Sequence, residues 1–198
     1  LEQRLPLRFA SRATVTADGD LTRLSRETSL IAGLTGSGKS TLVAAVIDAL
    51  PASARVVIVE DIAELDPQHP HTAHLTTRTA NADGGGALRM NDLVSETLRM
   101  RPDSLVLGEV RGPEIRDFLA VTSSGHHGIS TIHAGSLETV ADRVMTLGLL
   151  AGIPRSAIAP LVAGTISRVA FCSRVADGVE VALGRFVAEG SRLRVVPG

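Results

Sequence analysis

The sequence predicts an α/β fold: a mainly parallel central sheet with helices on both faces, followed by a small helical and antiparallel C-terminal part. Three observations predict it. Gly33-Leu34-Thr35-Gly36-Ser37-Gly38-Lys39-Ser40 has the G-x-x-x-x-G-K-S pattern, set between an apolar run from Ser29 to Ala32 and an apolar-periodic stretch from Thr41 to Leu50. Two continuous apolar runs, Arg55 to Glu60 and Ser104 to Glu109, carry the composition of strands buried on both faces of a parallel sheet. At the end of the chain, Asp177-Gly178 and Glu189-Gly190 separate short alternating stretches, which makes an antiparallel meander.

Taken in order, residues 1–28 are weakly committed. Leu5 to Val15 can form one or two short strands broken by Pro6, and Asp18-Gly19-Asp20 reads as a turn. Strand, loop and helix then follow at 29–50, the context that a phosphate-binding P-loop requires. Its glycines let successive N–H groups and a helix N-terminus point at one anion, with Gly33, Thr35, Gly36, Ser37, Gly38, Lys39, Ser40 and Thr41 as the binding residues. Lys39 reaches the β and γ phosphates, and the Ser40 hydroxyl is a candidate Mg²⁺ ligand. Lys39 is also the only lysine beside nineteen arginines. A planar guanidinium does not replace a compact ammonium wrapped by a loop, so lysine survives where it is mechanically required.

The strand at 55–60 ends on Glu60 and Asp61, with Glu64 one turn further, and ligands in open α/β sheets bind beyond such strand ends. Residues 66–87, with Pro67, Pro70 and Gly84-Gly85-Gly86, predict a long loop or hairpin region. The spacing of His69, His71 and His74 in it matches no common metal pattern, and solvated loop histidines account for it. Met90 to Met100 repeats apolar residues at helical spacing, with Asn91 or Asp92 near its start, and stops at Pro102. After the strand at 104–109, Pro113 opens a helix to Val121. His126 and His133 bracket the next strand, where they are candidates to sense a γ-phosphate. A helix from Ser136 to Leu149 has a Ser N-cap, and a second runs from about Ser156 to Ile166. The meander closes the chain at Val169 to Cys172, Val179 to Val187 and Leu193 to Val196.

Composition bounds the function classes. At 198 residues and 44% hydrophobic content the chain can bury one substantial core. A formal net charge of −1 leaves no electrostatic footprint for a nucleic-acid binder, so nucleic acid is not an expected partner. The lone Cys172 excludes an internal disulfide framework, fits a reducing compartment and reads as a buried small apolar residue. No run of about 18 apolar residues is present, so a membrane role would be peripheral. The chain starts at Leu1, which reads as a piece of something longer.

Four motifs in this order resemble the type II/type IV secretion ATPase superfamily. They are the P-loop, Glu60-Asp61-x-x-Glu64-Leu65, Leu107-Gly108-Glu109-Val110-Arg111-Gly112, and Gly125-His126 to His133-Ala134, known in that family as the Walker A, Asp box, Walker B and His box. The wording Leu98-Arg99-Met100-Arg101-Pro102-Asp103 with Gly108 to Glu114 is most similar to the CpaF-like tight-adherence pilus branch. The resemblance implies a RecA-like P-loop core and an ATPase that uses ATP and Mg²⁺. It assigns Lys39 and Ser40 to the phosphates and Mg²⁺, Glu60 to polarising the attacking water, Glu109 to organising Mg²⁺ through water, and His126 and His133 to the γ-phosphate.

The resemblance further implies a homo-hexamer with sites completed across subunits by arginines, for which Arg78, Arg101 and Arg111 are candidates. It implies a cytoplasmic motor at the inner face of the cell membrane, working with inner-membrane platform proteins of a pilus or secretion system. Segments follow from it: 1–27 as a lead-in, remnant of an N-terminal domain or a linker; 28–150 as the ATPase core; 151–198 as C-terminal helix and antiparallel strands of the same domain. The helix that the family carries before the P-loop strand reads as shortened, and the N-terminal domain as absent or reduced. Two alternatives stand beside the motor: a nucleotide-binding assembly module with weak hydrolysis, and a DNA-directed RecA-like motor.

Overall fold

The computed structural model describes residues 7–10, 17–82 and 85–198. Its centre is a nine-stranded sheet: β1 (Leu7–Ala10), β2 (Ser29–Gly33), β3 (Val56–Glu60), β4 (Thr72–Thr76), β5 (Ser104–Leu107), β6 (His127–His133), β7 (Arg168–Val175), β8 (Gly178–Glu189) and β9 (Arg192–Pro197). The spatial order is β1-β8-β7-β2-β6-β5-β3-β4, with β9 also on β8. Every pairing from β7 through β2, β6, β5 and β3 to β4 is parallel. The β7–β8 and β8–β9 pairs are antiparallel, and β1 lies parallel to β8. The mainly parallel α/β architecture with an antiparallel C-terminal part is therefore as expected.

Six α-helices cover the described sheet: α1 (Ala17–Arg26), α2 (Lys39–Asp48), α3 (Met90–Thr97), α4 (Glu114–Ser123), α5 (Val140–Leu150) and α6 (Arg155–Thr165). Side-chain alternation along the strands sorts them into two layers. Ile31, Ile58, Val106 and Ile129 face Leu24 of α1 and Leu42, Val43, Val46 and Ile47 of α2. Leu30, Val59, Leu105 and Ile132 face the other way, onto Leu93 of α3, Phe118 and Leu119 of α4, Val144 of α5 and Ile158 of α6. Parallel strands place the β2, β3, β5 and β6 C-termini along one edge, and the site is there.

Four local expectations are corrected. Asp18-Gly19-Asp20 is not a turn but lies within α1, because Leu21 and Leu24 draw the segment onto α2, outweighing the roughly 1 kcal/mol helix cost of a glycine. A ten-residue helix thus precedes the P-loop strand. The loop expected at 66–87 contains β4, whose pattern was concealed by Pro67, Pro70 and a histidine in mid-strand; Arg78 and Leu88 beyond it do pair antiparallel, as a hairpin would. The Ser136 cap is displaced: α5 begins at Val140, and the Thr139 hydroxyl accepts the Ser136 N–H at 3.1 Å. Finally, His69 is buried instead of solvated, its Nε2–H donating to the Pro51 carbonyl at 3.0 Å. The remaining lead-in expectations, Leu5, Pro6 and residues 11–15, fall outside the described residues, as does Gly84.

Candidate functional site

β2 ends on Gly33, flanked in register by His133 of β6 and Cys172 of β7. A Cβ on Gly33 would lie 2.6 Å from the Cys172 carbonyl oxygen and collide with the Ser37 hydroxyl, and its φ of 151° also favours glycine. Gly38, at φ 96°, turns the chain into α2 where a side chain would strike Val179. The loop is thus seated on β7 and β8. Lys39 opens α2, and its ammonium donates to the Gly33 and Leu34 carbonyls at 3.1 and 2.9 Å, holding the loop as a ring. Burial lowers the Lys39 pKa, against the raising effect of Glu109. The Ser37 hydroxyl is buried with no partner among the described residues.

A cavity of about 280 Å³ opens in front of the loop. Thr35, Gly36, Lys39 and Ser40 line its floor; Glu60, Asp61 and Glu64 come from the β3 exit; Gly108, Glu109 and Arg111 from the β5 exit; and Thr131 and His133 from β6. Gly33, Ser37, Gly38 and Thr41 shape the loop without lining the cavity.

Glu60 is 5% exposed. Its Oε1 accepts the Glu64 and Leu65 N–H groups at 3.2 and 3.1 Å, while Oε2 is buried without a hydrogen-bond partner. Burial raises the Glu60 pKa, opposed by those two N–H groups and by His74, whose Nδ1 lies 3.9 Å from Oε2. Gly108 stands where a generic Walker B motif has aspartate, and the geometry explains it: a Cβ there would sit 2.8 Å from the Glu60 Cγ. Space for the Glu60 carboxylate and a side chain at 108 exclude each other.

Both oxygens of Glu109 are engaged. Oε1 faces the His133 Nε2 at 3.2 Å, and Oε2 accepts from the Arg111 guanidinium at 2.7 Å. Arg111 also lies 3.8 Å from Asp61, and the hydrogen bond to Glu109 raises its pKa. Asp61 in turn accepts from the Thr77 hydroxyl at 3.2 Å, so a polar chain crosses the cavity mouth from β5 to β4.

The fold does not bring every candidate to this cavity. His126 precedes β6, at the amino edge, with its Nδ1 3.0 Å from the Ser124 hydroxyl; the seven-residue strand puts it about 20 Å from the P-loop of its own chain. A motif spacing of seven residues says that two histidines bracket a strand, not that both ends reach one ligand. Arg101, in a left-handed conformation at φ 51° before β5, is exposed at that same far edge. Arg78 is exposed and donates to the Gly86 carbonyl at 2.7 Å, outside the cavity lining. Conversely, sequence reasoning passed over Arg174 of β7, whose guanidinium reaches the Gly36 carbonyl at 3.5 Å, and His74 beside Glu60. His74 would have been found by recognising β4, since parallel register then puts it on the Glu60 face.

Residues 14–193 match the family described as type II/IV secretion system protein. The chain belongs to that family. Relatives within it include a putative conjugal transfer protein of Mycobacterium tuberculosis, 47% identical over 130 residues, covering 65% of this chain and 37% of that protein. The type IV secretion system protein PtlH of Bordetella pertussis is 36% identical over 174 residues, 84% of this chain and 48% of PtlH. The chain therefore spans between about a third and a half of these relatives. Among solved structures, the VirB11 ATPase of the Brucella suis type IV secretion system, crystallised with sulphate, superposes with a TM-score of 0.72 at 29% identity, covering 83% of this chain and 50% of VirB11. The pilus retraction motor PilT with bound ADP superposes with a TM-score of 0.66 at 21% identity over 83% of this chain and 49% of PilT, a likeness of fold alone. These neighbours share the RecA-like core. Among the described residues, no helix of this family member is long and apolar enough to cross a membrane.

Proposed function

We propose that the chain carries the ATP-hydrolysing core of a secretion or pilus-assembly motor. The observation that carries this reading is Glu60: a buried carboxylate with one oxygen pinned by two N–H groups and the other without a hydrogen bond, on the wall of a cavity floored by a P-loop. Such a group can take a proton from water without being neutralised first by a structural partner. In the step proposed, Glu60 Oε2 accepts one proton of the attacking water. The water oxygen forms the new bond to the γ-phosphorus, and the bond from that phosphorus to the β–γ bridging oxygen breaks, its electron pair staying on ADP.

Lys39 is to exchange the Gly33 and Leu34 carbonyls for β and γ phosphate oxygens, a stronger charge-assisted pairing. The hard oxygen donors of Ser40 and Glu109 suit Mg²⁺, which would neutralise developing charge on the phosphates. Glu109 is then to exchange partners too, releasing Arg111, and His133 is left to face the γ-phosphate. His126, at the other end of β6, has no role in its own chain's site in this reading.

The finer assignments belong to the same proposal: a homo-hexamer, sites shared between subunits, attachment to inner-membrane platform proteins at the cytoplasmic face, and the tight-adherence branch. Arg101 and Arg78, exposed and outside their own cavity, are the candidates for work in trans. Arg111 acts first in cis. A second reading, nucleotide binding with little turnover, is favoured by the Glu109–Arg111–Asp61 chain across the cavity mouth. Both are tested by the Mg²⁺-dependent hydrolysis rate per subunit against protein concentration, with Lys39→Ala and Glu60→Gln as controls. Specific activity that rises with concentration and is abolished by both substitutions supports the motor. Flat, near-background activity with ATP still bound supports the second reading.

A further inference from the structure

β4 is the edge strand beyond β3, and their parallel register pairs Ile58 with His74 and Glu60 with Thr76. His74 and Glu60 are therefore diagonal neighbours on one face of the sheet, the face that packs against α1 and α2. The imidazole Nδ1 stands 3.9 Å from Glu60 Oε2, the oxygen that has no hydrogen-bond partner. Oε1 is fixed by the Glu64 and Leu65 N–H groups, so the carboxylate plane can swing only at its Oε2 end, toward or away from His74. The His74 side chain is 35% exposed, whereas that of Glu60 is 6% exposed. The pair thus joins a buried carboxylate to a solvent-accessible ring.

We propose that His74 is the positioning residue for Glu60: its imidazolium form aims Oε2 and holds the carboxylate ionised, ready to accept the proton of the attacking water. The proposal rests on the reading of Glu60 as the base. Of the charged groups that share the cavity with Glu60, Arg111 is paired with Glu109 and Asp61, and His133 faces Glu109. Glu64, from the loop after β3, opposes ionisation, and His74, from β4, favours it. Lys39, at the start of α2, lines the same cavity but is turned onto the Gly33 and Leu34 carbonyls. Burial disfavours the Glu60 anion more than any other influence, so a nearby cation on the open side has a defined task. His74 touches neither phosphate nor water in this scheme.

The test uses the full chain in four forms: unaltered, His74→Gln, His74→Arg and Glu60→Gln. The Glu60 carboxyl is titrated by carbon-13 NMR, with Glu60→Gln supplying its assignment, and the pH–rate profile of Mg-ATP hydrolysis and the affinity for ATP are measured alongside. His74→Gln is expected to move both the Glu60 titration and the acid limb of the rate profile to higher pH. It should lower the rate at the acid end several-fold and leave ATP affinity within about twofold. His74→Arg, a permanent cation, is expected to return both curves to or below their original pH.

A uniform loss of rate with the acid limb unmoved, or a Glu60 titration indifferent to His74, overturns the proposal while Glu60→Gln remains inactive. An active Glu60→Gln variant overturns the parent reading, and this one with it.

Discussion

Strand β6 has a histidine at each end, and the two are handled in opposite ways. At the amino end, the His127 Nε2–H donates to the Glu27 carbonyl at 3.0 Å and Nδ1 accepts from the Ser104 hydroxyl at 2.7 Å. The tautomer follows, since a carbonyl can only accept. Both ring nitrogens are satisfied, and burial lowers the His127 pKa. At the carboxyl end, the His133 side chain is 38% exposed on the cavity wall and faces Glu109. At the amino end the ring closes its polar atoms against fixed partners. The carboxyl end has partners that can be exchanged, as with Lys39 and Glu109, and buried atoms without a hydrogen bond, as with Glu60 Oε2 and Ser37 Oγ. The contrast separates a structural histidine from a site histidine without any reference to relatives.

The contrast can be broken at its strongest point first. Lys39→Ala removes the ammonium that now bridges two loop carbonyls and is to meet phosphate, and is expected to weaken ATP binding by about a hundredfold or more, from the loss of charge-assisted hydrogen bonds. Isothermal titration with Mg-ATP checks it; unchanged affinity would dissolve the distinction between the two edges.

His127→Ala tests the opposite edge. It leaves the buried Ser104 hydroxyl without its acceptor and takes one of two donors from the Glu27 carbonyl, which keeps the Ser29 hydroxyl at 2.7 Å, and should cost about 1–2 kcal/mol of stability, read by urea unfolding, with ATP affinity of the folded protein unchanged. Because burial lowers the folded-state pKa of His127, its contribution is fully present above the unfolded value of about 6.5 and is lost as pH falls below it. The difference between unaltered protein and His127→Gln should therefore shrink from pH 8 to pH 5.

Glu60→Gln is expected to abolish hydrolysis yet raise stability by about 1 kcal/mol at pH 8, since an ionised, half-paired carboxylate is costly to bury. The raised pKa fixes the sign: the cost exists where the group is ionised and fades as pH falls through the folded value, so the gain should vanish in acid. Melting temperatures at pH 8 and pH 5 decide this. His126→Ala, at the far edge, should change stability by less than about 0.5 kcal/mol and leave ATP affinity in place. An effect of His126 that appears only on assembly would instead assign it to a neighbouring subunit.

Much of this was legible in the sequence, for identifiable reasons. Val56 to Val59 of β3 and Leu105 to Leu107 of β5 are apolar without a break because both faces are covered, and the P-loop is a pattern set by phosphate geometry. The β4 strand was not legible: as an edge strand it needs few apolar residues, and Thr72-Ala73-His74-Leu75-Thr76 looks like loop until β3 is there to pair with it. Helix α1 was hidden by a glycine and two aspartates whose local preference is overruled by Leu24 in the core. The four-motif order located the cavity but could not sort its members, because which end of a strand a residue occupies depends on strand direction. His126 illustrates the limit. Gly108 illustrates the converse, a departure from a generic motif that becomes a requirement once the Glu60 Cγ is in view.

The seating of the P-loop on β7 and β8 has a consequence in time. The loop is complete by Ser40, but the surfaces it rests on, the Cys172 carbonyl beneath Gly33 and Val179 against Gly38, emerge from the ribosome more than a hundred residues later. Strand β1, made long before β8, finds its partner only when β8 exists. Sequence-distant closure of this kind is slow and comes late. During synthesis the P-loop, made before β7 and β8, thus acquires its seat only after them, and a ribosome stalled before Arg168 would hold a nascent chain that carries the whole phosphate-binding signature without the floor on which it rests.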